Sequence, residues 1–253
     1  MSNIKSLATI AAIALSAAAA PLFSQTLTGP EVMSKYFHNP KPKTSIMNMS
    51  MVITKNGKSL SRSMSNWGSG DNAKGEAERK LVKFLAPGDI KGSGFLSVKK
   101  VDGSTESQLW LPAMGKVRRL SSGASDQDQA FFGSDFTNRD ISGFIEAEFA
   151  YTLKGSDEAG YTVEARPKSA MGYELLVYQI DAKTFTAKRI DYHRGGKLIK
   201  SQTIETVTMD GYTLPSTIVM TSASGSSTTI HISEQKVDQD LGDKIFTERF
   251  LKQ

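Results

Sequence analysis

The chain has 253 residues, with 31 Lys and Arg against 26 Asp and Glu, a formal net charge of +5 and no cysteine. The lack of cysteine excludes disulfide bonds and a cysteine-linked lipid anchor. The basic residues are scattered rather than clustered, which indicates at most a mild attraction to anionic lipid surfaces.

The N-terminus has the pattern of a secretory signal peptide. Lys5 precedes an apolar run from Leu7 to Ala20, which is too short for a membrane-spanning helix. We therefore predict a signal peptide over residues 1–25, cleaved near Ser24 or Gln25, and a single domain over 26–253. A retained N-terminal anchor is the alternative. Export also makes nucleic acid an improbable partner.

The mature chain is predicted to begin with a helix. Thr28 and Glu31 have the spacing of a capping box, and the helix should end before Asn39-Pro40. Val32 and Phe37 belong to its single apolar face. This helix either packs against the edge of a sheet or acts as a lid over a cavity.

From Thr44 to Thr54 the hydrophobic period changes to two, which is typical of a strand. Met47, Met49 and Met51 then share one face. Methionine is flexible and is common at surfaces that accept variable apolar partners, but ordinary core packing explains the same pattern. Asn56-Gly57 predicts a hairpin turn after this strand.

Turns recur about every ten residues to the end of the chain, which favours an antiparallel sandwich or barrel. The segment Asp140 to Glu148 is compatible with either a short helix or a strand, and Asp135 is interpreted as a helix cap or an Asx turn. Further strands are predicted at 59–67, 79–85, 94–100, 109–111, 117–120, 149–153, 160–166, 174–181, 186–192, 197–207, 213–221 and 227–234.

No combination of residues with catalytic spacing is present. His38, His193 and His231 are far apart and lack metal-ligand spacing. Gly68-Ser69-Gly70 lacks the spacing and context of a nucleophile elbow, and neither a phosphate loop nor a dinucleotide fingerprint occurs. We therefore expect no enzymatic activity, no catalytic residue, no metal and no cofactor.

A basic group follows the turn at Pro112, where Lys116, Arg118 and Arg119 lie close together in sequence. Neighbouring strand residues point to opposite faces, so one arginine is expected in solvent and the other inward or at a rim. The rim arginine either forms an ion pair with an acid such as Asp135 or meets an anionic head group.

Several short runs together resemble a known family. They are Trp-Leu-Pro-Ala at 110–113, Val-Arg-Arg at 117–119, Phe-Gly-Ser-Asp-Phe at 132–136, the Pro-x-Asp-x-x-Gly-x-x-Phe-Leu run at 87–96 and the C-terminal run Asp-Lys-Ile-Phe-Thr at 243–247. The chain is similar to the periplasmic outer-membrane lipoprotein-sorting (LolA-like) proteins. It resembles their larger branch, whose members often accompany resistance-nodulation-division (RND) lipid exporters.

The resemblance implies a half-open antiparallel β-barrel with a few short helices that close the open side. It also implies a monomeric periplasmic carrier of lipid or lipoprotein acyl chains, working between an inner-membrane exporter and an outer-membrane acceptor. Lys116, Arg118 and Arg119 would then form a rim for head groups or partners. The expected lipid-contacting residues are Met47, Met49, Met51, Met64, Phe84, Leu96 and Trp110.

The alternative function is that of a periplasmic sensor. A related regulator uses the same fold to bind lipid or peptide and to control an anti-sigma factor in an envelope stress response. That relative has an additional C-terminal domain, for which this chain is too short. The carrier is therefore the favoured prediction.

Overall fold

A computed structural model of the protein describes residues 27–70, 76–121 and 123–253. The predicted signal peptide at 1–25 lies outside these residues. Within them, no helix is both long and apolar enough to cross a membrane.

The fold consists of a sheet in which all neighbouring strands are antiparallel. Its strands are β1 Thr44–Lys55, β2 Lys58–Gly70, β3 Glu76–Ala86, β4 Gly94–Lys100, β5 Thr105–Leu111, β6 Lys116–Leu120, β7 Phe149–Asp157, β8 Gly160–Pro167, β9 Leu175–Asp181, β10 Ala187–Arg194, β11 Lys197–Met209, β12 Tyr212–Ser222 and β13 Ser227–Val237.

The order of the 13 strands is β6-β5-β4-β3-β2-β1-β13-β12-β11-β10-β9-β8-β7. Two meanders, β1 to β6 and β7 to β13, are therefore joined side by side through the pair β1–β13. The strands β6 and β7 form the two edges and do not pair with each other, so the sheet is not closed. The predicted half-open, mainly β fold is confirmed.

Local sequence explains the first hairpin. Asn56 and Gly57 have φ values of 51° and 72°, both in the left-handed region that a two-residue type I′ turn requires. Asparagine and glycine tolerate this region better than other residues. The register follows directly, because Lys55 pairs with Lys58 and Met49 with Met64.

Four short helices accompany the sheet in the described residues: α1 Gly29–Phe37, α2 Ala124–Gln127, α3 Asn138–Ser142 and α4 Glu248–Leu251. The capping box of α1 is present as predicted, with the Thr28 backbone N–H donating to Glu31 Oε2 at 2.7 Å. The start of α1 lies against the edge strand β7, where a Cβ on Gly29 would be 2.6 Å from the backbone nitrogen of Leu153. This helix therefore packs on the sheet edge.

The segment between the two edge strands, residues 123–148, crosses one face of the sheet, which we call the inner face. Phe131 packs edge-on against Phe95 with ring centroids 5.5 Å apart. Lys55 Nζ donates to the carbonyl of Gly133 at 2.9 Å. The ambiguous stretch from Asp140 is helical, in α3 and a 3-10 helix at Glu146–Glu148.

The prediction that Asp135 caps a helix or forms an Asx turn is wrong. The residue that caps α3 is Thr137, which forms a capping box with Asp140. The Asp135 carboxylate instead accepts hydrogen bonds from the hydroxyls of Ser226 and Thr228, the latter at 2.7 Å. This long-range contact ties the crossing segment to β13 and could not be read from local sequence.

Two hydrophobic clusters lie on opposite faces of the sheet. The larger covers the inner face and includes Val82 and Phe84. The smaller, on the outer face, is centred on Leu81, Leu96, Phe246 and Leu251. Successive residues of β3 alternate between the two clusters, as the pleat requires.

Candidate functional site

A cavity of about 450 Å³ lies between the inner face of the sheet, the helix α1 and the region of α3. Aromatic side chains form much of its wall. They include Tyr36 and Phe37 from α1, Phe144 from the crossing segment, and Tyr178 and Tyr192 from the sheet. The cavity therefore occupies the open side of the half-barrel, where the helices cover the sheet incompletely.

The apolar face of α1 builds one side of this wall. Tyr36 packs edge-on against Phe37 with centroids 5.0 Å apart, and it contacts the ring of Tyr178 at 5.6 Å. Burial raises the pKa of Tyr36 to about 12, so this phenol stays neutral at physiological pH. Helix α1 therefore packs on the sheet edge, as one of the two interpretations predicts, and it also lines the cavity.

Strands on the other side supply a mixture of apolar and amide groups. Met47 of β1, Ile190 of β10 and Ile204 of β11 line the cavity. Tyr192 donates its hydroxyl hydrogen to Gln202 Oε1 at 2.7 Å. The hydroxyl of Tyr192 and the amide oxygen of Gln202 are therefore paired with each other in this part of the wall.

One end of the cavity carries a cluster of charges from neighbouring strands. Lys80 Nζ lies 2.9 Å from Glu78 Oε1, and Lys99 Nζ lies 3.3 Å from Glu78 Oε2. The two ammonium groups also donate to the carbonyls of Ile141 and Phe144, at 3.4 and 3.2 Å. Glu78 therefore bridges two lysines below the cavity.

The described residues at this end of the cavity carry more positive than negative charge. Burial alone would raise the pKa of Glu78, but the adjacent ammonium groups of Lys80 and Lys99 hold that pKa well below its ordinary value. Burial lowers the pKa of Lys99 despite the pull of Glu78 in the opposite direction. Lys41 also lines the cavity and acts on the same carboxylate. Three lysines thus face one glutamate.

A second ionic contact holds α3 against the sheet. Lys200 of β11 pairs with Asp140, whose side chain is only 1% exposed. The ammonium group lies 5.0 Å from the ring centroid of Tyr173 and 4.9 Å from that of Tyr192. Tyr173 also donates to Asp140 at 3.1 Å. Such a paired and hydrogen-bonded contact fixes geometry more than it adds stability.

The structure divides the predicted lipid-contacting residues into three groups. Met47 alone among them lines the cavity. Met49, Met51, Met64 and Phe84 pack in the inner cluster, and Met51 is 0% exposed. The three methionines therefore share one face of the sheet, as predicted, but only Met47 lines the cavity.

Leu96 and Trp110 belong to the third group and lie on the outer face. Both pack in the smaller cluster with Phe246 and Leu251. Trp110 pairs with Gly94 across β4 and β5, whereas its neighbour Leu109 points to the inner cluster. The alternation of the pleat thus separates these two residues from the cavity.

The basic group at the edge strand β6 is exposed at Lys116, Arg118 and Arg119. Arg118 forms an ion pair with Asp126, rather than with Asp135. Residues 116 and 118 share the face of Leu120, which belongs to the inner cluster, and Arg119 points to the opposite face. Arg118 therefore lies on the same face of β6 as the inner cluster, and both arginines are exposed.

The charged end of the cavity was missed at the level of sequence, although a signal existed. Glu78 and Lys80 occupy the same alternating positions of β3 as the buried Val82 and Phe84. Charged residues on the apolar face of a strand indicate an interior ionic or binding site. Within the described ranges, no group of three His, Cys, Asp or Glu residues could hold a metal ion.

Comparison with known proteins places this geometry in a family. A model described only as an uncharacterized protein family matches residues 76–253, more than half of the chain. The chain belongs to that family. No curated protein matches the sequence.

Solved structures with the same fold span nearly the whole chain. A domain described as an outer membrane lipoprotein-sorting protein from Vibrio parahaemolyticus is 24% identical, with a TM-score of 0.82 over 89% of this chain and 98% of that one. A DUF1329 family protein from Desulfovibrio piger is 25% identical, with a TM-score of 0.82 over 88% and 97%. A LolA superfamily protein from Nitrosomonas europaea is 18% identical, with a TM-score of 0.68 over 89% and 100%. The predicted resemblance to LolA-like proteins is confirmed at the level of the fold.

Proposed function

We propose that the protein is a non-enzymatic carrier that shelters acyl chains of lipids or lipoproteins in the cavity beneath α1 and α3. The observation that supports this proposal is the aromatic and aliphatic wall at the open side of a LolA-like fold. A volume of about 450 Å³ falls within the range of small-molecule sites, about 300–1,000 Å³.

Burial of hydrocarbon supplies the driving force. Each methylene removed from water contributes about 0.8 kcal/mol, so a carrier competes with a bilayer only through a continuous apolar wall. Tyr36, Phe37, Phe144 and Met47 offer such a wall. In this proposal Met49, Met51 and Met64 do not contact the lipid but pack behind the wall in the inner cluster. Leu96 and Trp110 pack on the outer face of the sheet and do not contact the lipid either.

The proposed site of action is the periplasm. The predicted signal peptide would direct export to this compartment and would then be cleaved. There the protein would act as a monomer, receiving lipid from an inner-membrane exporter of the RND type and delivering it to an outer-membrane acceptor. Lys116, Arg118 and Arg119 would form the rim that meets head groups or membrane partners. Complementary charge raises the rate of association more than it raises the affinity.

A substitution at Met47 tests the proposal directly. The half-buried Met47 faces the cavity, so Met47→Asp should preserve the fold but weaken binding of the neutral probe N-phenyl-naphthylamine about tenfold, because a carboxylate in the wall must be desolvated. Leu198→Asp, at an exposed apolar residue outside the lining, is the matched control. Fluorescence titration gives the affinities and thermal melts report the fold.

Two results would refute the carrier. One is the absence of stoichiometric binding of apolar probes by the wild-type protein. The other is a steady release of hydrolysed lipid products that a single polar substitution abolishes, which would identify an enzyme.

A further inference from the structure

The positive end of the cavity has a geometry that the acyl-chain proposal does not use. Lys80 and Lys99 project from adjacent antiparallel strands onto the same face, and Glu78 lies between their ammonium groups. A Cβ placed on Gly143 would lie 3.6 Å from both Nζ atoms. The two ammonium groups therefore both border the space beside the Gly143 Cα, which a side chain at position 143 would enter.

Gly143 suits this position for a backbone reason as well. Its φ of 82° lies in a region that other residues rarely adopt, and it ends α3 by donating its N–H to the Arg139 carbonyl at 2.8 Å. The carbonyls of Ile141 and Phe144 on either side accept from Lys80 and Lys99. The turn after α3 thus orients both lysines toward the cavity.

Among the described residues at this end of the cavity, positive charges outnumber negative ones. Glu78 neutralises one positive charge, whereas Lys41, Lys80 and Lys99 supply three. The nearby Asp140 does not alter the balance, because it is paired with Lys200. Two positive charges beside a partly enclosed apolar space attract an anion much more strongly than the same charges would in open water.

We propose that Lys80 and Lys99 form a subsite for an oxyanion head group, a phosphate or a carboxylate, so that the cargo is an anionic single-chain or double-chain lipid. The inference rests on the proposed carrier function. The acyl chain would extend from this end along the wall of Tyr36, Phe37 and Phe144, and Lys41 would lie near the head group.

Glu78 has a defined part in this arrangement. In the structure its two carboxylate oxygens contact the two lysines that an incoming oxyanion would contact. It therefore competes with the head group, and an anion must displace at least one of these ion pairs. This competition keeps the lysines paired in the empty protein and weakens binding enough for release.

If Glu78 competes with the head group, its removal should increase the affinity for anionic ligands. A variant that is merely misfolded would not show such an increase. Glu78→Gln should strengthen binding of dodecyl phosphate and dodecanoate several-fold and leave dodecanol unchanged, because the two ammonium groups lose their internal partner. The double variant Lys80→Gln, Lys99→Gln should weaken both anionic ligands about tenfold or more, since each charged hydrogen bond is lost. Affinities are measured by displacement of N-phenyl-naphthylamine.

Two further variants of the protein serve as controls for folding and for overall charge. The triple variant Glu78→Gln, Lys80→Gln, Lys99→Gln removes the cluster without leaving Glu78 unpaired, and it should bind dodecanol normally and the anionic ligands weakly. The variant Lys58→Gln, Lys197→Gln removes two exposed lysines outside the cavity lining and should behave as wild type.

The outcomes separate this inference from the carrier proposal. Unchanged affinity for both anionic ligands in the double and triple variants, together with normal dodecanol binding, would overturn the head-group subsite and leave the carrier intact. Failure of the wild type to bind dodecanol or the probe would refute the carrier itself. Inorganic phosphate that binds as tightly as dodecyl phosphate would overturn the assignment to a lipid head group.

Discussion

The two faces of strand β3 differ in what they contact. On its outer face, Leu81 is 0% exposed in the smaller cluster, to which Phe246 and Leu251 near the C-terminus also belong. On its inner face, Glu78 and Lys80 border a cavity. Adjacent residues of one strand thus pack in a hydrophobic cluster on one side and border a cavity on the other, because the pleat separates them.

The outer face is covered by residues from the end of the chain. The guanidinium carbon of Arg79 lies 4.5 Å from the ring centroid of Phe246, and Arg79 pairs with Asp243 at 2.9 Å. Leu251 then packs close to Gly94, where a Cβ would be 2.7 Å from Leu251 Cδ1. On the inner face the crossing segment covers the sheet less completely, and the cavity is what remains.

The largest expected effect concerns the dry part of the inner face. Met51→Asp should destabilise the protein by more than about 4 kcal/mol, because Met51 is 0% exposed and the carboxylate would be buried without a partner. Urea denaturation measures the loss, with Met47→Asp as the comparison from the cavity wall. Equal losses in the two variants would mean that the inner face is uniformly core.

A smaller loss is expected on the outer face, and it should not affect ligand binding. Leu251→Ala should cost about 2–4 kcal/mol, since it opens a cavity in the smaller cluster. Probe affinity of the folded variant should equal that of wild type. A matched truncation at the exposed Leu198 should change neither quantity. Weaker probe binding in Leu251→Ala would show that the two faces are coupled.

The smallest effect on stability is expected at the rim. The Arg118→Ala, Arg119→Ala variant should lose at most about 1 kcal/mol, because both residues are exposed and exposed ion pairs contribute little. It should retain affinity for uncharged probes but transfer anionic lipid between vesicles more slowly. The wild-type rate should fall with salt, since exposed charges are screened within about 10 Å at 0.1 M. Identical rates and salt dependence would make these arginines structural.

Local sequence was sufficient for most of the elements. The alternation from Thr44, the Asn56-Gly57 turn and the Thr28–Glu31 capping box each act within a few residues, and all three are present in the structure. The boundaries of β4 agree with the prediction. By contrast, β5 begins at Thr105, four residues before the predicted strand, because pairing with β4 extends through polar residues.

The sequence by itself determined that the chain forms an antiparallel sheet, that the three methionines share one face and where α1 begins. Only the tertiary structure decided that Met47 borders empty space whereas Met51 does not, and that Trp110 is covered by the C-terminus. It also brought Glu78 and Lys99 together and tied Asp135 to Thr228. Periodicity and turn chemistry act over a few residues, whereas coverage of a face depends on segments far away in the chain.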